Sequence, residues 1–288
     1  MALTGVLRPG HMQIRVLDID ESIEFYTNVL GLIQTGRQGD LAYFKAWDER
    51  DHNSFIIRQA DTAGTDFFGF KVLNNDALNQ LESDLKAYGV STERIKAGDL
   101  LETGERVRFE IASGHMIELY ADKKDVGNGQ PYVNPAPWTA AADNGIAPSR
   151  MDHALLYGPD IEKVQDLFVN VLGFFLVEHI VLPDGETDLA IWLSCSNKAH
   201  DIAFVRNEEP GKLHHTAFLL DSWERVLRAA DIMSMNRVSI DIGPTRRLWL
   251  KTIKTKGYEL TPLEVDWQTH RVRAASTLTY AAEGEAPA

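Results

Sequence analysis

Six of the nine histidines lie in the second half of the chain: His153, His179, His200, His214, His215 and His270. An isolated histidine is more often a satisfied structural residue than a ligand, so the pattern around each one decides its meaning. His153 opens one apolar strand pattern, and His215 stands at the start of another. The two occupy corresponding points of two successive half-units. A sheet curved into a half-barrel would turn both imidazoles inward. Two imidazoles and one carboxylate on a single face make the site that holds non-haem Fe(II) and leaves coordination positions open.

The elements that must position these residues occur twice. His11 is followed seventeen residues later by Asn28-Val29-Leu30-Gly31, and His153 at the same interval by Asn170-Val171-Leu172-Gly173. An offset of 142 residues exceeds the period of a solenoid repeat and marks two copies of one module. In the first copy, His11–Val16 alternates as a half-buried strand, and Asp18–Asp20 offer caps to a helix that runs to about Val29 and ends at Gly31. Strands at 42–47 and 53–58 follow. Phe67–Val72 opens a second half-unit, with a helix over Asp76–Tyr88 whose Leu78, Leu81 and Leu85 share one face. Val107–Ile111 and His115–Tyr120 form a hairpin around Ser113-Gly114.

The second copy reads as strand 153–157, helix 161–171, strands 189–193, 201–205 and 214–219, and helix 222–233. Several strands follow each helix without a further crossover, which predicts an α+β fold of mixed sheets with helices on one face. The division is 1–124 for the N-terminal module, 125–150 for a Gly-, Pro-, Asn- and Ala-rich linker, and 151–288 for the C-terminal module.

Composition narrows the function. A net charge of −13 disfavours nucleic acid and anionic membranes as partners, since both attract basic patches. Cys195 is the only cysteine, so neither an internal disulfide nor a thiolate cluster is expected. No signal-peptide pattern or membrane-length apolar run is present, and the expectation is a cytoplasmic protein.

Four ordered motifs carry a family resemblance. They are Met151-Asp152-His153-Ala154-Leu155-Leu156-Tyr157-Gly158, Lys198-Ala199-His200-Asp201-Ile202-Ala203-Phe204, Leu213-His214-His215-Thr216-Ala217-Phe218 and Asp241-Ile242-Gly243-Pro244-Thr245-Arg246. From about Gly5 to Arg246 the chain resembles the catechol 2,3-dioxygenases, extradiol ring-cleaving enzymes of the vicinal oxygen chelate superfamily. The resemblance implies two tandem modules of paired βαβββ units, with Fe(II) only in the C-terminal module. It also implies a catechol-type substrate, O2 and a homotetramer.

By this resemblance His153 and His215 are the iron-ligating histidines. His214 is directed to the opposite face if its strand is regular. His200 is implied as the acid–base residue, and an unperturbed pKa of ~6.5 suits removal and return of a catechol proton. The third ligand is implied as Glu264, eleven residues beyond Ile253, with Glu259 and Asp266 as substitutes. The same spacing separates Val107 from Glu118 in the first module. Arg247 and Lys254 depart from the family pattern, since neither can accept a proton near neutral pH.

In the first module His11 and Glu118 stand at ligand positions, but the middle position lacks a histidine. A structural role without metal is therefore expected for that module, with His115 as a turn residue. Trp192, on the strand leading to His200, is available to line an aromatic substrate pocket or to pack in the core. The competing functions are a glyoxalase-like metalloenzyme with a site built from both modules, and a binding protein inactive through its altered C-terminal segment.

Overall fold

The computed structural model describes residues 5–130, 139–242, 249–250, 265–266 and 271–272. The first module opens with β1 (Val6–Val16), which carries His11. Asp18 then caps α1 (Ile19–Glu24), its Oδ1 accepting from the backbone N–H of Asp20 and Glu21 at 3.0 Å each. A π-helical turn over Phe25–Val29 follows, and Gly31, at φ +83°, ends the segment in the left-handed region. β2 (Ile33–Gln38), β3 (Leu41–Lys45) and β4 (Phe55–Gln59) complete the first unit. β5 (Gly64–Val72), α2 (Asn75–Tyr88), β6 (Thr92–Ile95), β7 (Arg106–Glu110) and β8 (Met116–Tyr120) repeat it. The predicted face of α2 is the buried one, through Leu78, Leu81 and Leu85.

These strands form one sheet in the order β2-β3-β4-β1-β5-β8-β7-β6. Each unit closes on itself through a parallel pair, β1 with β4 and β5 with β8, and the antiparallel β1–β5 seam joins the two. Each unit is therefore βαβββ rather than the βαββ read from residue patterns. The strands missing from that reading, β2 and β6, are the sheet's edges. Their Gln34, Thr35, Arg37 and Glu93 give no apolar alternation, as suits a strand with one unpaired side.

The second module repeats the scheme with β9 (Arg150–Gly158), α3 (Ile161–Asn170), β10 (Phe175–Val181), β11 (Asp188–Ser194), β12 (Ile202–Arg206), β13 (Lys212–Leu219) and α4 (Trp223–Met235). Its sheet order is β10-β11-β12-β9-β13, with β9 parallel to β12 and antiparallel to β13. β10, again an edge, was not legible from the sequence. Two short pairs follow: β14 (Ile240–Ile242) with β15 (Trp249–Leu250), and β16 (Val265–Asp266) with β17 (Arg271–Val272).

One face of both sheets buries a continuous core. Met12, Ile14, Ala154, Leu156, Phe70, Phe168 and Phe174 all belong to it, and the Phe70 ring lies 5.2 Å from that of Phe174 across the modules. Part of the 125–150 segment packs rather than merely linking, since Ile146 and Ala147 donate backbone N–H groups to Val29 and Leu30. His115 is more than a turn residue. It spans the modules from Ser113 Oγ at 2.9 Å to the backbone oxygen of Lys212 at 3.0 Å, and burial lowers its pKa to about 4. No described helix is long and apolar enough to cross a membrane. The core takes one face of the second sheet, which leaves the other face for the histidines.

Candidate metal centre

Alternation along β9 puts Ala154 and Leu156 in the core and His153, Leu155 and Tyr157 on the opposite face. β13 runs antiparallel beside it, with His215 directly opposite Leu155. The two imidazoles converge there, with His153 Nε2 and His215 Nε2 3.3 Å apart and both residues buried.

Two β-bulges make this convergence possible. His214 is the extra residue between the Leu213–Leu156 and His215–Leu155 pairs, and Asp152 is the extra residue beside the Ala217–His153 pair. A bulge breaks strict alternation and re-aims side chains. The expectation for His214 is corrected accordingly. It lies on the same face as His215, its Nδ1 2.9 Å from His215 Nδ1 and its ring 4.9 Å from that of Tyr157. Regular alternation failed as a guide because the strand is irregular at that residue.

The second bulge brings Asp152 to the outer nitrogen of His153. Asp152 Oδ2 accepts from His153 Nδ1 at 2.8 Å, which assigns the ring proton to Nδ1 and leaves a lone pair on Nε2. Burial alone would raise the Asp152 pKa, but the His153 hydrogen bond and the Lys198 charge hold it well below the usual carboxylate range. A carboxylate on the far side of an imidazole is the arrangement that orients ligating histidines.

His200 joins the same face from the loop between β11 and β12, its ring centroid 4.2 Å from that of His153. Trp192, Ala203, Leu155 and His215 form a lateral row across β11, β12, β9 and β13. Trp192 is half-buried against an apolar cluster of Leu155, Ala190, Ala203 and Val205, so packing and lining the site are compatible. Sequence reasoning therefore named four residues that share one surface. It missed Asp152 and misplaced His214, both of which depend on the bulges.

Glu264, Glu259, Arg247 and Lys254 lie outside the described residues, and only the β16 backbone is described at Asp266. Among the described residues no group of three or more His, Cys, Asp or Glu could hold a metal. His153 Nε2 and His215 Nε2 are the two imidazole nitrogens that converge there.

The first module shows the corresponding face. Gln13 pairs with Phe67 as Leu155 pairs with His215, so Phe67 stands where the second histidine would be. His11 Nε2 meets Glu118 Oε2 at 2.9 Å, both fully buried, and Lys123 Nζ meets His11 Nδ1 at 2.9 Å. Arg108 also donates to Glu118, at 2.8 and 2.5 Å. Burial and the Lys123 charge lower the His11 pKa to about 3, so this imidazole is neutral.

Residues 65–124 match the family model described as the catechol 2,3-dioxygenase-like N-terminal domain. Residues 150–258 match the glyoxalase/bleomycin resistance protein/dioxygenase superfamily. Metapyrocatechase of Pseudomonas sp. (strain CF600) is 49% identical over 245 residues, spanning 84% of this chain and 79% of that relative. A manganese-dependent 2,3-dihydroxybiphenyl 1,2-dioxygenase of Geobacillus genomosp. 3 is 26% identical over 81% of this chain and 75% of its own length. The crystal structure of the 2,3-dioxygenase LapB from Pseudomonas sp. KL28 superposes with a TM-score of 0.83 at 65% identity, covering 85% of each chain.

Proposed function

We propose, since this chain belongs to the catechol 2,3-dioxygenase family, that it is an Fe(II)-dependent extradiol dioxygenase. It opens catechol or substituted catechols with O2 to 2-hydroxymuconic semialdehyde-type products. The observation that carries this reading is the convergence of His153 Nε2 and His215 Nε2 at 3.3 Å with the His200 ring beside them.

The family implies a catalytic metal, and one relative is named for manganese. The residues present suit such an ion. Imidazole–metal bonds run about 2.0–2.1 Å, so two nitrogens on one ion can lie up to about 4.2 Å apart, and the observed 3.3 Å falls inside that limit. Two neutral imidazoles completed by a carboxylate, for which Glu264 is our candidate, match the ligand set of non-haem Fe(II) oxygenases with open positions. That is the reason for choosing Fe(II).

A metal held by His153, His215 and the candidate Glu264 would supply open coordination positions and the redox chemistry for activating substrate and O2. The protein's own groups orient, exclude water and move protons. Asp152 fixes the Nδ1–H tautomer of His153, and His214 braces the outer nitrogen of His215. His200 takes a substrate hydroxyl proton and later returns it. Trp192, Leu155 and Ala203 offer an apolar wall to the ring.

A glyoxalase-like site shared by both modules is disfavoured, because His11 and Glu118 are engaged with each other, Lys123 and Arg108. Assembly as a homo-oligomer, a cytoplasmic setting and the 1–124, 125–150 and 151–288 division belong to the same reading.

Anaerobic reconstitution with Fe(II), or in parallel Mn(II), followed by catechol and air tests the proposal. A yellow ring-fission product is expected with Fe(II). Its absence with both metals rejects the activity, and its appearance with Mn(II) alone rejects the metal. Glu264→Ala should abolish metal binding; unchanged metal content would remove Glu264 from the ligand set.

A further inference from the structure

The loop that carries His200 is built around a fully buried carboxylate. Asp201 Oδ2 accepts from the backbone N–H of Cys195 at 2.9 Å and of Ser196 at 3.1 Å, and from Ser194 Oγ at 3.0 Å. Ser196 Oγ donates to Oδ1 at 3.2 Å. These bonds close the 194–201 turn on itself. They do not tie it to β9, where His153 stands.

Lys198 makes that tie. Its Nζ lies 2.9 Å from Asp201 Oδ1, 3.1 Å from Asp152 Oδ1 and 2.5 Å from the Asp152 backbone oxygen. An ammonium has three N–H donors, and here each has an acceptor. Two of the three lie on the residue whose other carboxylate oxygen holds His153 Nδ1. His200 falls between the two anchored positions, Lys198 and Asp201, in the sequence. The chain His153–Asp152–Lys198–Asp201 thus runs from a metal-binding imidazole to the turn that presents the acid–base imidazole.

Resting on the ring-cleavage reading above, we infer that Lys198 is a positioning residue that fixes His200 against His153 by bridging Asp201 and Asp152. Its ammonium is taken up by Asp201 and Asp152. Its bridge sets the two histidines in one frame, so that the proton-carrying group and the ligand-bearing strand keep their spacing. A methionine at this position fills similar space but donates nothing. An arginine keeps the charge, and its planar fork can span the two carboxylates without reproducing the bond to the backbone oxygen.

The test uses the full-length protein with Lys198→Met and Lys198→Arg. Lys198→Met should weaken Fe(II) affinity in chelator competition by about tenfold, the low end for loss of support to a ligating histidine. Its kcat should fall on the order of 10²-fold, the low end for a displaced acid–base group. KM for catechol should stay near wild type, while the melting temperature should fall, because buried Asp201 loses its cation. Lys198→Arg should recover most of the metal affinity and part of kcat.

Wild-type affinity and kcat in Lys198→Met overturn the inference. So does a loss seen only as a lower melting temperature or a smaller folded fraction. Lys198→Gln, judged by the same criteria, replaces Lys198→Met if the latter does not fold. Should the wild-type protein cleave no ring, the functional reading fails, and histidine-ring NMR of the metal-free protein decides the bridge. Slow exchange of the His153 Nδ1 proton in the wild type and faster exchange in the variant support it; equal exchange overturns it.

Discussion

The two modules place a histidine at the same point of the same bulged strand and give it opposite faces of the ring to use. In the second module the Asp152 carboxylate accepts a hydrogen bond from Nδ1–H of His153, and Nε2 points toward His215. In the first module Lys123 donates to Nδ1 of His11, so the proton sits on Nε2 and goes to Glu118. One imidazole is thereby prepared as a ligand and the other as a hydrogen-bond donor. The cause is the bulge residue. Asp152 supplies a carboxylate where the first module has Gly10, and a Cβ on Gly10 would lie 2.1 Å from Tyr120 Oη. On the proposed reading, what separates the metal site from its copy is the charge placed behind the histidine, as much as the ligand count.

The largest test of the comparison exchanges ligands for structural groups. His215→Gln should remove metal binding and reduce ring cleavage by more than about 10³-fold, since it deletes one of two described donors. Phe67, its counterpart, should be replaceable by Leu without loss of bound metal. Metal analysis of both purified variants reads this directly. Metal retained by His215→Gln would break the assignment of the modules.

Next in size is Glu118→Gln. It leaves Arg108, and the buried Arg106 guanidinium 3.3 Å from Glu118, without their carboxylate. Breaking one side of a buried ion pair costs about 3–5 kcal/mol. Denaturant unfolding should show that loss, while the metal content of folded protein stays at wild type. A change in metal content with stability intact would make the first module a metal site after all.

The third test narrows the comparison to the bulge. Asp152→Ala removes the carboxylate behind His153, at the bulge position where the first module has Gly10 and offers none to His11. Metal affinity should drop by about 10–100-fold, the usual consequence of losing a carboxylate behind a ligating histidine. Chelator competition measures it, and unchanged affinity would mean that ligand identity alone distinguishes the modules.

How much of this was legible in the sequence depended on how local each cause is. That His153, His200 and His215 converge on one face was legible from the motifs that carry the family resemblance. Glu118 was readable because the repeat carried it. His214 was misjudged because strand alternation holds only for a regular ladder, and a single extra residue reversed its face. Asp152 drew no reading of its own, since its partner is its own neighbour and only a bulge lets them meet. β2, β6 and β10 escaped because edge strands are polar on sides that central strands bury. Lys123 gave no signal at all: its partners His11 and Asn53 are 112 and 70 residues away.

Lys123 also provides the smallest and most discriminating test. Its ammonium donates to His11 Nδ1 and to both oxygens of Asn53, at 2.9–3.0 Å, filling the space behind the histidine with positive charge. Burial lowers its pKa to about 7 despite the nearby carboxylates of Asp51, Glu118 and Glu49. An unfolded lysine titrates near ~10.4. Between these values the unfolded chain holds a proton that the native chain releases, so stability contributed by this group rises with pH across that window. Below about pH 7 both states are protonated and the burial cost is fully felt. Urea unfolding of metal-free protein at several pH values should therefore show the wild type gaining on Lys123→Met by about 1 kcal/mol per pH unit. The gain should begin near pH 7 and level off near the unfolded value. His153 Nδ1 faces the Asp152 carboxylate instead, whose pKa is lowered, so no comparable slope above pH 7 should vanish when Asp152 is replaced. A stability difference between wild type and Lys123→Met that is flat with pH would show that the buried Lys123 keeps its proton as the unfolded chain does, and the lowered pKa behind His11 would fall.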